Sequence, residues 1–439
     1  MTASPDVGTS KNTMRRIAIA SGTGTTIEFY DFLIYGTAAA LVFGDIFFPA
    51  LGSAAATVAA FATLGVAFVA RPFGSILFGH FGDRIGRKGT LVTTLLVMGT
   101  ATVLIGFMPT ADQIGVAAPI LVVILRVIQG LAVGGEWAGA TLLAAENAPK
   151  AKRGFYAMFP QFGPAIAFSL ASATFLATAL LMSDEAFVAY GWRIPFIASA
   201  LLVAVGLYVR LKIDETPVFK GEVAKGGTST VPFGEAFKTQ PREILLGSGV
   251  MVMVFAFFYM AVSYLTSYGT ATLGLERTTV LSIGILGGVV FAVAVGVGAA
   301  YSDRVGRRRT ITIANVVAVA WALVLFPILD IGTPFAFAIG VCVTLFIAGV
   351  AYGPVGAFLP ELYNTRYRYT AAGLAYNVAG IVGGAIPPLI AAAIAAAFGG
   401  YAFGVFLALL CLISVGCTLG LRETRDKEMS DVAGSKTLV

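Results

Sequence analysis

Long apolar stretches alternate with short polar joints along the whole chain. Twelve such stretches, near 17–41, 55–80, 90–109, 118–144, 155–181, 190–210, 244–270, 279–301, 311–330, 334–359, 369–397 and 400–421, are apolar on every side and not alternating residue by residue. About 20 residues of this kind cross a hydrocarbon core of roughly 30 Å as a helix. In lipid only helices and closed barrels satisfy every backbone amide, and barrel strands read as short alternating segments. The pattern therefore predicts an all-α membrane protein of twelve transmembrane helices.

Composition agrees with this. Hydrophobic residues make up 58% of the 439 and charged residues 12%, with a mean hydropathy of +0.88. Soluble domains carry about 25% charged residues, so a large water-exposed enzyme module is excluded. Cys342, Cys411 and Cys417 all lie in apolar stretches without CxxC spacing, and His80 is the one histidine. Neither a disulfide framework nor a metal site is expected, nor is a cleaved signal peptide.

The basic residues fix the orientation. All but four of the 29 Lys and Arg fall in the even-numbered joints and the two tails, on one side of a twelve-helix chain; Arg71, Arg126, Arg193 and Arg277 are the exceptions. Short cytoplasmic loops are rich in Lys and Arg, so both termini are expected in the cytoplasm and the chain in the cytoplasmic membrane. The charge of +6 is split among seven short segments and does not form a nucleic-acid stripe. The bilayer is the partner that this charge distribution implies.

Two stretches repeat. GHFGDRIGRK (Gly79–Lys88) follows the second helix and AYSDRVGRRR (Ala300–Arg309) the eighth, with Asp83 and Asp303 half a chain apart. Glu146 precedes Arg153 by seven residues after the fourth helix, and Glu361 precedes Arg368 by seven after the tenth. The chain thus divides into a tail 1–16, a six-helix bundle 17–210, a polar linker 211–243, a second bundle 244–421 and a tail 422–439. Thr216 and Pro217 suggest a helix start inside the linker.

The paired D-R-x-G-R-[KR] motifs after the second and eighth helices resemble the signature of the major facilitator superfamily. GTTIEFYDFLIYG (Gly24–Gly36), RPFGSILFGHFGDRIGRK (Arg71–Lys88), RVIQGLAVGGEWAGA (Arg126–Ala140), YGWRIPF (Tyr190–Phe196), DETPVF (Asp214–Phe219) and PELYNTRYRYT (Pro360–Thr370) resemble its metabolite:proton symporter branch. The resemblance spans nearly the whole chain. It implies alternating access powered by the proton gradient without a cofactor, and a shikimate-like, dicarboxylate or proline/betaine-like substrate.

Ionisable groups well inside the helices are few: Glu28, Asp31, Arg71, Arg126 and Glu136. Each costs about 2.5–3.5 kcal/mol at mid-helix, so they must face one another or an aqueous cavity. Gly24, Glu28, Asp31 and Tyr35 share one helical face; Arg126, Gln129, Val133 and Glu136 share another. At 1.5 Å per residue, Asp31 and Arg126 lie within about 6 Å in depth. Asp31 is therefore expected to face Arg126, so that protonating Asp31 frees Arg126 for a substrate carboxylate, an arrangement the resemblance also implies; a permanent buried ion pair is the alternative. Glu28 is a competing proton site. Arg71, Gln129 and Tyr35 are candidate substrate contacts, as are Tyr259 and Asn377 in the second half, where no helix carries a central charge. Gly380, Gly383, Gly384, Pro387 and Pro388 mark a bendable stretch of the eleventh helix.

The loop groups Asp83, Arg84, Arg87, Lys88, Glu146, Arg153, Asp303, Arg304, Arg307, Glu361 and Arg368, with Glu136, are expected to hold the cytoplasmic side shut and to release it as the halves rock. No nucleophile with a neighbouring base and no phosphate-cradling loop occurs, so the chain is not read as an enzyme. Proton-antiport efflux is the rival transport reading; PQFGPAIA (Pro160–Ala167) has the Gly163-Pro164 pair without the flanking glycines common in such pumps. Asp83→Asn should reach the membrane in normal amount and transport poorly; unimpaired flux would count against a gating role.

Overall fold

A computed structural model describes residues 11–85, 87–211, 232–364 and 367–427. Twelve helices among them are long and apolar enough to cross a membrane, as expected: α1 (Ile17–Phe47), α2 (Ala55–Gly79), α3 (Gly89–Gly106), α4 (Ala117–Asn147), α5 (Lys150–Leu181), α6 (Arg193–Leu211), α7 (Pro241–Thr272), α8 (Arg277–Val305), α9 (Arg307–Leu329), α10 (Pro334–Leu362), α11 (Arg368–Ala391) and α12 (Gly400–Leu419). Thr216 and Pro217 lie outside the described residues; a helix at Pro232–Thr239 ends the linker.

The same packing scheme occurs twice. In the first half α1 lies along α5, α2 along α4 and α3 along α6; in the second, α7 lies along α11, α8 along α10 and α9 along α12. Between the halves, α5 runs against α8 and α2 against α11, while α1 meets α7. Hydrocarbon supplies no hydrophobic drive for helix association, so backbone proximity and small residues must hold these pairs. At α5–α8, Gly284 and Gly288 face Ser172, Ser169 and the Ala165 carbonyl, and Ser169 Oγ donates to Ile285 O at 3.1 Å.

The α2–α4 pair is closest. A Cβ on Gly74 would strike the Leu131 backbone, one on Gly130 the Ala67 backbone, and one on Gly134 the Arg71 carbonyl. This glycine seam sets the depth of Arg71 relative to Arg126, because both arginines ride on helices with no freedom to separate or slide.

Two central helices of the second half are broken by wide π turns: α7 at Met260–Tyr264 and Tyr268–Thr272, and α11 at Gly380–Ala385. The expected bendable stretch of α11 thus begins with a π segment, which Pro387 and Pro388 follow. Such turns disturb the regular ladder and recur at functional positions. Gly134→Leu should reduce thermal stability by at least about 1–3 kcal/mol, the usual cost of overpacking, whereas Gly89→Ala, with open space around it, should leave it unchanged. Melting in detergent measures both.

Candidate functional site

Glu28, Asp31, Arg71, Arg126 and Glu136 are all essentially inaccessible, at 0–1% exposure. None faces lipid. Arg71 of α2 and Arg126 of α4 meet at Phe32 of α1, against which Tyr259 of α7 packs. Two guanidiniums stand over the Phe32 ring: Arg71 Cζ is 4.2 Å and Arg126 Cζ 4.5 Å from its centroid. Arg71 also stands over Phe68 at 4.5 Å, and Arg126 over Tyr35 at 3.9 Å. Ring faces attract cations, and here they partly replace the water each arginine has lost.

The arginines retain much donor capacity. Arg126 Nη1 donates to Gln129 Oε1 at 2.7 Å, but its Nε and Nη2 have no hydrogen-bond partner; all three Arg71 nitrogens lack one. The two guanidiniums are near enough to repel. A buried unpaired donor is expensive, so the pair is built for an acceptor-rich anion. Tyr259, whose hydroxyl also lacks a partner, packs edge-on to Phe32 and Phe68 at 5.7 and 4.7 Å.

The expected direct pairing of Asp31 with Arg126 does not form: no ion pair joins them, and neither Asp31 oxygen has a hydrogen-bond partner. Asp31 instead lies beside Thr102 of α3 and Ser199 of α6. Helix depth was compatible with the pairing; the rotation of α4 aims Arg126 at Tyr35 and Phe32. Glu28 has Arg71 and Arg210 as its nearest cations. Gln129 spends its amide on Arg126 and, through Nε2, on Thr102 Oγ1 at 2.7 Å. Tyr35 donates to or accepts from Thr63 at 2.5 Å. Asn377 bridges the halves, donating to Ser75 Oγ at 2.6 Å and to Gly134 O at 2.8 Å.

An aromatic wall completes the centre. Phe29, Phe255, Phe258, Tyr259, Tyr352 and Tyr376 enclose a cavity of about 10 Å³, barely room for one water. Tyr352 and Tyr376 hydroxyls meet at 3.2 Å, and Tyr376 stacks on Trp137 at 4.0 Å. A metabolite fits only after the halves part.

Ion pairs join the halves at both ends. At the end carrying the loop motifs, Arg153 reaches Glu361 at 2.9 Å, and Asp303 accepts from Gly154 N and Phe155 N at 3.0 and 2.9 Å. Arg307 holds Asp303 at 2.5 Å and approaches Glu361 at 3.7 Å. Arg368 pairs with Glu146 at 3.5 Å, and Tyr369 donates to Gly135 O. Arg153–Glu361, Arg368–Glu146 and the bonds from Gly154 N and Phe155 N to Asp303 each cross between the halves. Arg304 contributes its carbonyl, which accepts from Arg425 at 2.6 Å. Glu136 departs from the pattern: it pairs with Arg210 of its own half. The side chains of Asp83, Arg84, Arg87 and Lys88 lie outside the described residues. At the opposite end Arg277 pairs with Asp184 across the halves at 2.6 Å, beside a cleft of about 610 Å³.

Thr102, Ser75, Arg210, Asp184 and Arg277 were not singled out from sequence. Arg210 read as one more loop cation, and hydroxyls in apolar helices carry no periodic signal. The segment after α12 was missed as well: Thr424 Oγ1 donates to Glu361 Oε2 at 2.6 Å, and Glu423 accepts from Arg307 N and Arg308 N at 2.8 and 3.1 Å.

Comparison with known proteins places this geometry. The family description Major Facilitator Superfamily matches residues 23–387. The chain is 43% identical to Inner membrane metabolite transport protein YhjE of Escherichia coli (strain K12), over 95% of this chain and 96% of that one. It is 38% identical to the Shikimate transporter of the same organism, over 96% and 98%. The solved structure of the proton:xylose symporter XylE superposes with a TM-score of 0.75 at 18% identity, covering 95% of this chain and 98% of that one, which speaks to fold alone. The chain is a multi-pass membrane transporter and belongs to the major facilitator superfamily.

Proposed function

We propose that the protein is a proton-coupled symporter carrying a small carboxylate-bearing metabolite, of the shikimate or dicarboxylate kind, into the cell by alternating access. The observation that carries this reading is the pair of buried arginines with unpaired nitrogens, Arg71 and Arg126, over Phe32 at the junction of the halves. A substrate carboxylate there accepts from both guanidiniums and relieves their repulsion, with Tyr259 as a further donor. A zwitterionic osmolyte would also need a seat for its cation, where two arginines already stand.

Asp31 is the proton site in this reading. Thr102 and Ser199 each donate their one hydroxyl hydrogen to a backbone carbonyl, Met98 O at 3.0 Å and Phe196 O at 2.8 Å. A carboxylic acid at Asp31 finds an acceptor oxygen in each of them. Glu28, with Arg71 and Arg210 as its cations, serves as counter-ion. The motif end is cytoplasmic by its Lys and Arg, with both tails on that side. Asp83, Arg84, Arg87, Lys88, Glu146, Arg153, Asp303, Arg304, Arg307, Glu361 and Arg368 form the inner gate there, Glu136 bracing it through Arg210; Asn377 ties the halves as a strut and is uncovered for substrate when they part. One chain completes the pathway, and the proton gradient replaces any cofactor. A proton moving inward gains about 2.3 kcal/mol per 100 mV, enough to concentrate a neutral solute roughly fifty-fold.

Reconstituted vesicles offered labelled shikimate, succinate, proline and glycine betaine test the reading. One of the first two should accumulate, and a protonophore should abolish the accumulation. Arg126→Gln should lower that uptake at least about tenfold, the loss of a charge-assisted contact; accumulation of the zwitterions alone contradicts the reading. Asp31→Asn should keep exchange of internal for external substrate yet lose accumulation, and normal accumulation removes its coupling role. Glu361→Gln should favour the cytoplasm-open form, raising thiol labelling of a cysteine introduced at Ala157; unchanged labelling argues against the gate.

A further inference from the structure

A line of hydrogen bonds runs from Arg126 through Gln129 to Thr102 and ends beside Asp31. Asp31 lies against Thr102. Thr102 Oγ1 accepts from Gln129 Nε2 at 2.7 Å, and Gln129 Oε1 accepts from Arg126 Nη1 at 2.7 Å. All four side chains are at 0–1% exposure, so water does not compete for these bonds. We propose that Thr102 and Gln129 are positioning residues that transmit the protonation state of Asp31 to the aim of Arg126. This rests on the symport reading above and goes beyond it, since neither residue is itself a proton site.

The geometry has two settings. With Asp31 neutral, the acid hydrogen is directed to Thr102 or Ser199, Thr102 keeps its own hydrogen on Met98 O, and Gln129 stays between Thr102 and Arg126. Arg126 Nε and Nη2 then remain presented to an anion. Once Asp31 releases its proton to the inside, the carboxylate requires donors in a site of low dielectric. The Thr102 hydrogen and the Gln129 amide are the donors within the line. Drawing them over withdraws the acceptor that holds Arg126 Nη1, and Arg126 turns from the substrate carboxylate toward Asp31. Substrate is held while the proton is aboard and let go after it leaves. The groups around Asp31 are Thr102 from α3, Ser199 from α6, Tyr30 on its own helix and, through the line, Arg126 from α4.

Coupling of this kind is reciprocal: if the proton on Asp31 biases Arg126, changes along the line must move the pH at which Asp31 loses its proton. Infrared difference spectra of the whole protein in vesicles, with no substrate present, follow the carboxyl band that Asp31→Asn removes. Gln129→Leu and Arg126→Gln should each move its midpoint by about tenfold in proton concentration, the size of coupling between neighbouring side chains. Thr102→Ser should retain the unmodified midpoint. In a Thr102→Val background, Arg126→Gln should move the midpoint by less than half as much as it does alone. An undiminished shift in that background means Arg126 acts on Asp31 through space, and overturns the relay while leaving Asp31 as proton site. The absence of any titrating band attributable to Asp31 overturns both, and is distinguishable for that reason.

Discussion

A guanidinium deprived of water and of hydrogen-bond acceptors is among the most costly groups a membrane helix can carry. This protein holds two of them over one phenylalanine ring. Everything around them is arranged to make that tolerable: the glycine seam that locks α2 to α4, the rings of Phe32, Phe68 and Tyr35 that stand in for water, and the carboxyls of Glu28 and Asp31 one turn apart on α1. The site is stable enough to persist and unsatisfied enough to bind.

The two ends of the molecule differ in kind. At the motif end, Arg153, Glu361, Asp303, Arg307, Glu146 and Arg368 form interlocked pairs, mostly buried, with Thr424 and Glu423 adding contacts from beyond α12. At the other end Arg277–Asp184 is the one ion pair that crosses the halves among the described residues, and its aspartate side chain is 84% exposed. Exposed pairs contribute little, because solvent screens them, whereas breaking a buried pair leaves an uncompensated charge. The ion pairs between the halves are thus stronger at the motif end than at the Asp184 end in this conformation.

The architecture was legible because its signals are long and redundant. Twelve apolar runs, alternating loop charge and a duplicated ten-residue motif each point to the same fold, and the five buried ionisable groups stand out against a background of Leu, Ala, Val and Gly. Which of them face each other was not legible. Spacing places residues on a helical face, but the direction of that face depends on how the helix rotates against its neighbours. Arg126 and Asp31 had compatible depths and the wrong azimuth. Thr102 sits in GTATVLIG (Gly99–Gly106), where one hydroxyl among apolar residues carries no pattern, and Arg210 was hidden among loop cations because its side chain turns back into the bundle to reach Glu136. Asn377 was noticed for its polarity, yet its partners Ser75 and Gly134 O lie in the opposite half, a relation that no periodicity within α11 encodes.

The central claim is that anion and proton travel in the same direction through one site. It is tested most directly by a pH-sensitive dye outside lightly buffered vesicles, monitored as a transported carboxylate is added. The account predicts that the external medium becomes alkaline in step with uptake, and that Asp31→Asn abolishes the pH change. Uptake without proton movement, or with acidification of the medium, would contradict it.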